Sequence, residues 1–392
     1  MKPASLRKSR LFTPRFSVGL VLVSGGVLSL ILSLQVVEIE RGRAEAEFTR
    51  RVDIRHALTR EVLNNYESGL FGLRNLFVGD DAVSRAEFLH VARDILARYP
   101  GIAALEWVPV VGKTERAAFE LATSRELGRS FHFTERDPSE HPVPDRERNE
   151  YYPITYLEPL AGNEPALGFD LNDGLTISSL ELARRENRMV LSQTINLIQG
   201  QRGVVMIWPV YQKPIHAVDP RGNFLGYVQG VFRIAELLNQ TQKREPTPGL
   251  DTLYLDESAT APDSRLLYYF PSDVSGPRQP APSEEEFRAG LHREYRITLG
   301  GREWLAIYRP TAAWMKSQTT PLPLVRFCGG LAITSLLASL VYARTRRTAS
   351  IEMLVAERTA ELTENRRQTE NLLSQLPGMA FRCLADDNFT PL

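Results

Sequence analysis

Two long apolar runs constrain this chain more than any other feature of its sequence. The first, Phe16–Val37, contains no charged residue, and the second is Phe327–Ala343. A helix of about 20 apolar residues crosses a bilayer, and the second run approaches that length. We predict transmembrane helices over residues 16–37 and 322–343, with the lipid bilayer as a partner.

A cleaved signal peptide is the competing interpretation of the first run. Such a peptide has a shorter apolar core with a small-residue cleavage site close behind it. The nearest site of this kind, Ala44–Ala46, lies well beyond the run. An uncleaved anchor is therefore favoured.

Basic residues flank the outer ends of both runs. They precede the first run and follow the second, as Lys2, Arg7, Lys8, Arg10 and Arg15, then Arg344, Arg346 and Arg347. By the positive-inside rule, residues 1–15 and the segment after residue 343 are cytoplasmic. Residues 38–321 are then extracytoplasmic, and the expected location is the inner membrane, with this region in the periplasm.

The bulk composition excludes several function classes. Lysines plus arginines number 47 and aspartates plus glutamates number 47, so no basic excess points to nucleic acid. The cysteines, Cys328 and Cys383, leave residues 38–321 without a disulfide, so that region depends on an ordinary core. No Cys/His cluster has metal-ligand spacing, and we predict no metal and no cofactor.

Helical periodicity dominates the first part of the predicted extracytoplasmic region. Apolar residues at spacings of three and four predict a helix over residues 38–78. It either pairs with a second copy as a stalk, which favours a homodimer, or covers its own domain's core. A second helix is predicted from Ser84 to Tyr99, where Ser84 and Glu87 have capping-box spacing.

The remainder alternates between strands and helices, which predicts an α+β fold. Two groups of strands are expected. The first is Ile102–Val111, Tyr151–Leu160, Leu167–Leu171, Gly203–Tyr211 and Phe224–Phe232, with helices at Thr114–Leu127, Ser178–Asn187 and from Ile234. The second is Thr252–Leu255, Leu266–Phe270, Tyr295–Leu299 and Glu303–Tyr308, with a tight turn at Gly300-Gly301.

Short segments of this region resemble, in order, the CHASE family of extracytoplasmic sensor domains. They are Phe71–Phe77, Ser84–Phe88, Tyr99–Ile102, Trp107–Pro109, Tyr151–Ile154, Gly168–Leu171, Pro209–Tyr211 and Gly226–Arg233. The family occurs between membrane spans in bacterial sensor kinases, cyclic-dinucleotide enzymes and plant cytokinin receptors. The resemblance implies a long N-terminal helix and two PAS-like lobes. The core would be residues 66–238 and the membrane-proximal lobe 239–321, with a small-molecule ligand in the distal lobe.

The resemblance also implies site residues. In cytokinin-binding members a strand aspartate and a main-chain group contact the ligand, and these positions correspond to Asp170 and Leu191. Phe169, Tyr152 and Trp208 are aromatic candidates for lining the pocket, or plain core residues. Asp170 is alternatively a structural residue that holds a loop or an arginine such as Arg184.

The segment after the second run predicts a connection to the cell interior. Residues 344–373 are a polar linker helix, either a relay to a cytoplasmic signalling module or a solvated linker. Residues 374–392 resemble an incomplete PAS start. We expect a receptor for a small molecule. The alternatives are a sensory fragment of a histidine kinase or diguanylate cyclase whose catalytic module is absent from this chain, and a membrane-anchored protein-binding scaffold. No catalytic residue is assigned, because the chain has no kinase, Walker or hydrolase motif.

Overall fold

The computed structural model describes residues 14–79, 82–136, 142–172, 176–197, 201–212, 222–244, 247–272 and 280–374. The chain divides into two compact units. Residues 14–42 and 319–374 belong to one unit, and residues 43–318 form the other. The PAS start predicted for residues 374–392 lies outside the described residues from position 375 onward, as do the first basic residues of the chain.

The helices follow the predicted periodicity. In chain order they are α1 (Pro14–Asn75), α2 (Arg85–Arg98), α3 (Arg116–Leu127), α4 (Ile177–Glu186), α5 (Ile234–Arg244), α6 (Pro262–Arg265), α7 (Glu284–Arg288), α8 (Ala312–Ser317) and α9 (Leu322–Ser374). Helix α2 begins at the predicted capping box. The Ser84 side chain accepts from the Glu87 amide, and Glu87 Oε2 accepts from the Ser84 amide at 2.8 Å.

The strands form two larger sheets and two small ones. They are β1 (Ile102–Pro109), β2 (Val111–Gly112), β3 (Thr134–Arg136), β4 (Pro142–Pro144), β5 (Glu150–Tyr151), β6 (Tyr156–Glu158), β7 (Val190–Leu191), β8 (Ile195–Asn196), β9 (Arg202–Gln212), β10 (Asn223–Arg233), β11 (Leu250–Asp256), β12 (Leu266–Phe270), β13 (Arg293–Leu299) and β14 (Arg302–Pro310). The first sheet has the order β6-β1-β10-β9-β7, with β8 also on β9, and the second has the order β12-β11-β14-β13.

The unit built from residues 14–42 and 319–374 is a pair of helices, and α1 and α9 are long and apolar enough to cross a membrane by length and composition. Gly25 lies against Thr334, and Gly330 lies against Ser29, so closely that a Cβ on either glycine would overlap its neighbour. Small residues at a helix crossing let the two backbones approach. Apolar side chains elsewhere on these segments, such as Leu340, remain exposed.

The first sheet of residues 43–318 is apolar on both faces, because side chains along each strand alternate between two covers. Leu105 and Val228 face the core beneath α1. Ala104, Ile207 and Tyr227 face the opposite cluster, which α4 covers. Helix α1 thus covers its own domain's core, one of the two roles predicted for it.

The four-stranded sheet falls within residues 239–321, and its β13–β14 hairpin turns where the sequence predicts. Gly300 and Gly301 have φ values of +54° and +81°. Both values lie in the left-handed region, which glycine adopts without a Cβ penalty. Leu299 and Trp304, at the two sides of the turn, are buried in the core that α1 also lines.

Two predicted strands are wrong. Tyr151–Leu160 is divided into β5 and β6, and Leu167–Leu171 forms isolated bridges, Thr134 with Phe169 and Pro153 with Asp170. Pro153 has no N–H to give to a ladder. The Asp170 side chain takes the Tyr152 amide instead of a strand carbonyl.

Candidate functional site

Asp170 lies behind the loop that follows β5. Its side chain has no solvent exposure. Oδ1 accepts from the amides of Tyr152 at 2.6 Å and Asn172 at 3.1 Å. These two hydrogen bonds fix the loop onto the 168–172 segment, so one carboxylate oxygen has a structural task.

The second oxygen of Asp170 faces a buried charge cluster from the β3–β4 region. Arg148 Nε lies 3.5 Å from Asp170 Oδ2 and 3.4 Å from Asp145 Oδ1. Arg148 Nη2 lies 2.8 Å from Glu135 Oε2. The arginine beside Asp170 is thus Arg148. The predicted candidate, Arg184, instead pairs with Glu150 at 3.0 Å.

Burial and the repulsion between neighbouring carboxylates keep one carboxyl of this cluster protonated at acidic pH. Burial raises the pKa of Asp145 to about 7, the neighbouring Asp170 acts in the same direction, and Arg148 opposes both. Burial also raises the pKa of Asp170, although the hydrogen bonds from the Tyr152 and Asn172 amides act to lower it. The Asp145 carboxyl therefore keeps its proton below neutral pH, next to the carboxyls of Asp170 and Glu135.

Tyr152 and Phe169 lie on the other side of this segment, in the apolar cluster between the sheet and α4. The Tyr152 ring meets Tyr227 edge-on, with centroids 5.6 Å apart. The Tyr152 hydroxyl donates to Glu150 Oε2 at 2.8 Å and accepts from Arg184 Nη1 at 3.2 Å. Aromatic walls with polar groups at the edge suit a small-molecule site.

Leu191 and Trp208 lie elsewhere. The Leu191 side chain is buried in the core beneath α1, and its amide donates to Gly300 O at 3.0 Å. Trp208 also faces α1, where its ring lies 5.2 Å from that of Phe71. The structure therefore brings Tyr152 and Phe169 together, places Asp170 behind them, and separates Leu191 and Trp208 from all three.

Sequence reasoning missed two polar residues on the sheet floor, Glu106 and Gln229. Each is buried in a central strand, on the face that α4 covers. The signal was present as a charged residue inside the apolar strand 102–109. Over the described part of the chain, no group of three or more metal-ligating side chains is found.

Comparison with known families decides the identity of this region. The model of the CHASE domain matches residues 81–268. Residues 81–268 are therefore a CHASE domain. The match confirms the predicted resemblance and extends past residue 238 into the second sheet.

Relatives of the CHASE-containing chain are distant. The hybrid signal transduction histidine kinase A of Dictyostelium discoideum is 22% identical over 326 residues. The alignment covers 78% of this chain and 15% of that protein, so the chain spans a small part of its relative's length.

Several solved sensory domains match this chain at low similarity. The extracellular domain of soHK1S-Z6, named as a histidine kinase, is 12% identical with a TM-score of 0.41, covering 72% of this chain and 99% of that one. The periplasmic sensory domain of the Campylobacter jejuni chemoreceptor Tlp1 is 10% identical with a TM-score of 0.38, covering 71% and 97%. The ligand-binding domain of the Pseudomonas aeruginosa amino acid chemoreceptor PctC, in complex with GABA, is 12% identical with a TM-score of 0.35, covering 67% and 98%.

Proposed function

We propose that this chain is a membrane-anchored receptor whose CHASE domain binds a small molecule between the first sheet and α4. The observation that carries the proposal is the composition of that face. Aromatic rings of Tyr152, Phe169 and Tyr227 surround it, and Glu150 with Arg184 lie at its edge. Apolar walls with few polar groups are what ligand sites generally require.

The relay from this face to the membrane-proximal lobe runs through the β13–β14 hairpin. Gly300 O accepts from the Leu191 amide at 3.0 Å, and Gly301 lies against the Arg188 guanidinium. Residues 188–191 follow α4, which covers the proposed site. A ligand that moves α4 therefore moves the segment on which the hairpin tip is seated. Differential affinity for two positions of α4 supplies the free energy of the signal.

The membrane part of the proposal rests on α1 and α9. Each helix is continuous, from Pro14 to Asn75 and from Leu322 to Ser374. Each contains an apolar stretch long enough to span a bilayer. With the flanking arginines, this supports our proposal of a CHASE domain in the periplasm, in an inner-membrane protein that passes the membrane twice. We propose a homodimer, because each transmembrane helix can then move relative to the same helix of the second copy.

We propose that the output module belongs to a longer protein that contains this chain. A PAS domain after α9, followed by a histidine kinase or diguanylate cyclase module, fits a sensory part of this kind. The named activity of the Dictyostelium relative belongs to a protein of which this chain spans 15%. Kinase output is accordingly proposed for the longer protein and not for the residues present.

Thermal melting of the full chain in detergent micelles, against a library of small metabolites, tests ligand binding. We expect at least one compound to raise the melting midpoint in a concentration-dependent way, because a ligand that binds only the folded state stabilises it. Asp145→Asn is a control outside the proposed face and should respond to the same compound. A well-folded chain that no compound stabilises would favour the protein-binding scaffold instead.

A further inference from the structure

Glu106 and Gln229 are a pair of polar side chains at the centre of the first sheet. Their Cα atoms are register partners between β1 and β10. Side-chain alternation places Glu106 on the face of Ala104, and Gln229 on the face of Tyr227. This is the face that α4 covers. Cross-strand partners are close enough for their side chains to act together.

Both side chains are buried without adequate partners. Glu106 is 4% exposed and Gln229 is 1% exposed. Within the described ranges, no hydrogen bond or ion pair reaches the Glu106 carboxyl, and burial alone raises its pKa to about 8. Gln229 Nε2 likewise has no acceptor among those residues. Buried polar groups are costly unless hydrogen-bonded, so an orphaned pair requires a reason.

Nearby hydroxyl groups do not supply the missing hydrogen-bond partners. The Tyr227 hydroxyl donates to Leu180 O at 3.0 Å. The Tyr152 hydroxyl donates to Glu150 at 2.8 Å. Both protons are therefore directed toward α4 and the site's edge, away from the sheet floor. Glu106 and Gln229 remain able to bind a group that enters from the α4 side.

We propose that Glu106 and Gln229 are the polar anchor for a small ligand that carries a protonated primary amine. When the ammonium group binds, Glu106 releases its proton to solvent and the resulting carboxylate accepts from the ammonium. An acceptor atom of the same ligand takes the N–H of Gln229 Nε2. An ammonium has three N–H donors and supplies the positively charged partner that an ionised Glu106 would otherwise lack. The apolar remainder of the ligand contacts the surrounding cluster. This inference rests on the proposed function, because it assigns the chemistry of that site.

Stability without any ligand gives the first test. A side chain retained for binding at the expense of stability can be replaced by an apolar one of similar shape without loss. We expect Glu106→Met to melt at the wild-type temperature or above it. The matched control is Asp256→Leu, which removes a buried acid that Arg302 holds at 2.6 Å and should melt well below wild type. A Glu106→Met chain that loses as much as the control would assign Glu106 a structural role and overturn the proposal.

Binding gives the second test, on the full chain in micelles. The probes are GABA, putrescine and the L-amino acids, each compared with its N-acetylated form. We expect at least one free amine to raise the wild-type melting midpoint, its acetylated form to have no effect, and Glu106→Met and Gln229→Met each to weaken binding at least tenfold.

Three results would overturn the proposal. They are no stabilisation by any amine, equal stabilisation by the acetylated form, and unchanged affinity in Glu106→Met. The metabolite library separates the two ideas. If only compounds without an amine bind the wild type, the receptor function stands and the amine anchor fails. If nothing in either set binds, both fail.

Discussion

Asp145→Asn should increase stability more at pH 8 than at pH 5. Burial and Asp170 raise the pKa of Asp145 from 3.8 to about 7. Between these values the folded chain binds more protons than the unfolded chain, so stability falls as pH rises from about 4 to 7. Asparagine does not ionise in this range, and its amide can still donate to a neighbouring carboxyl, Asp170 or Glu135. The variant therefore avoids the loss of stability that the wild type undergoes between about pH 4 and 7.

The magnitude follows from the same linkage. Each pH unit by which a pKa differs between folded and unfolded chains is worth about 1.4 kcal/mol, so three give a ceiling of about 4 kcal/mol. Arg148, 3.4 Å from Asp145, offsets part of the charge. Hydrogen bonds from Asp145, Arg146 and Arg148, acting against burial, lower the pKa of Glu135, whose contribution is lost only at acidic pH. We expect a net gain of about 1–2 kcal/mol at pH 8 after this offset.

Thermal melting at the two pH values measures the effect. For a domain of this size about 1 kcal/mol corresponds to about 2–4 °C in the melting midpoint. The expected difference between Asp145→Asn and wild type is at least about 2 °C at pH 8 and smaller at pH 5. A difference that is the same at both pH values, or a variant less stable than wild type at pH 8, would refute the assignment of the shared proton.

Three further tests, two of them with a control substitution, examine the hairpin, the helix crossing and the capping box. Gly300→Val combines a positive φ with overlap on Leu191 and should cost about 2 kcal/mol or more in unfolding free energy. The control, Gly162→Ala, has a positive φ in open space and should cost about 1 kcal/mol. Denaturant unfolding compares the two, and equal losses would contradict the docking of the hairpin. Gly330→Leu should separate α1 from α9 and lower the melting midpoint. The control, Gly26→Leu, has open surroundings and should leave the midpoint unchanged. Indistinguishable midpoints would contradict the helix crossing. Ser84→Ala removes the hydroxyl that accepts from the Glu87 amide and donates to the Glu87 carboxylate, and it should cost about 1 kcal/mol by denaturant unfolding. No loss would show that the side-chain cap is dispensable.

Local signals in the sequence predicted much of the fold because the elements obey local rules. The capping box at Ser84 and the glycine pair at Gly300 each fix a backbone conformation within four residues, so both predictions are confirmed. The two wrong strands failed for a non-local reason. The amide of Tyr152 is taken by a side chain 18 residues away, which strand periodicity cannot reveal.

The site was harder to predict because it depends on which face of a sheet meets which cover. Strands β9 and β10 are apolar on both faces, so their patterns do not say which side faces α1. Trp208 was therefore proposed for the site although its side chain lies on the α1 side. The partner of Asp170 was equally hidden, since Arg148 and Arg184 are both plausible from sequence and only the β3–β4 region brings Arg148 close. Glu106 was detectable as an acid in an apolar strand.

The central claim is that the CHASE domain lies outside the membrane while the end of α9 lies inside. Single cysteines at exposed positions test it directly in intact cells, in a chain with Cys328→Ser and Cys383→Ser. A membrane-impermeant maleimide should label Arg129→Cys without cell lysis and should label Glu361→Cys only after lysis. Labelling of Glu361→Cys in intact cells, with Arg129→Cys protected until lysis, would contradict the account.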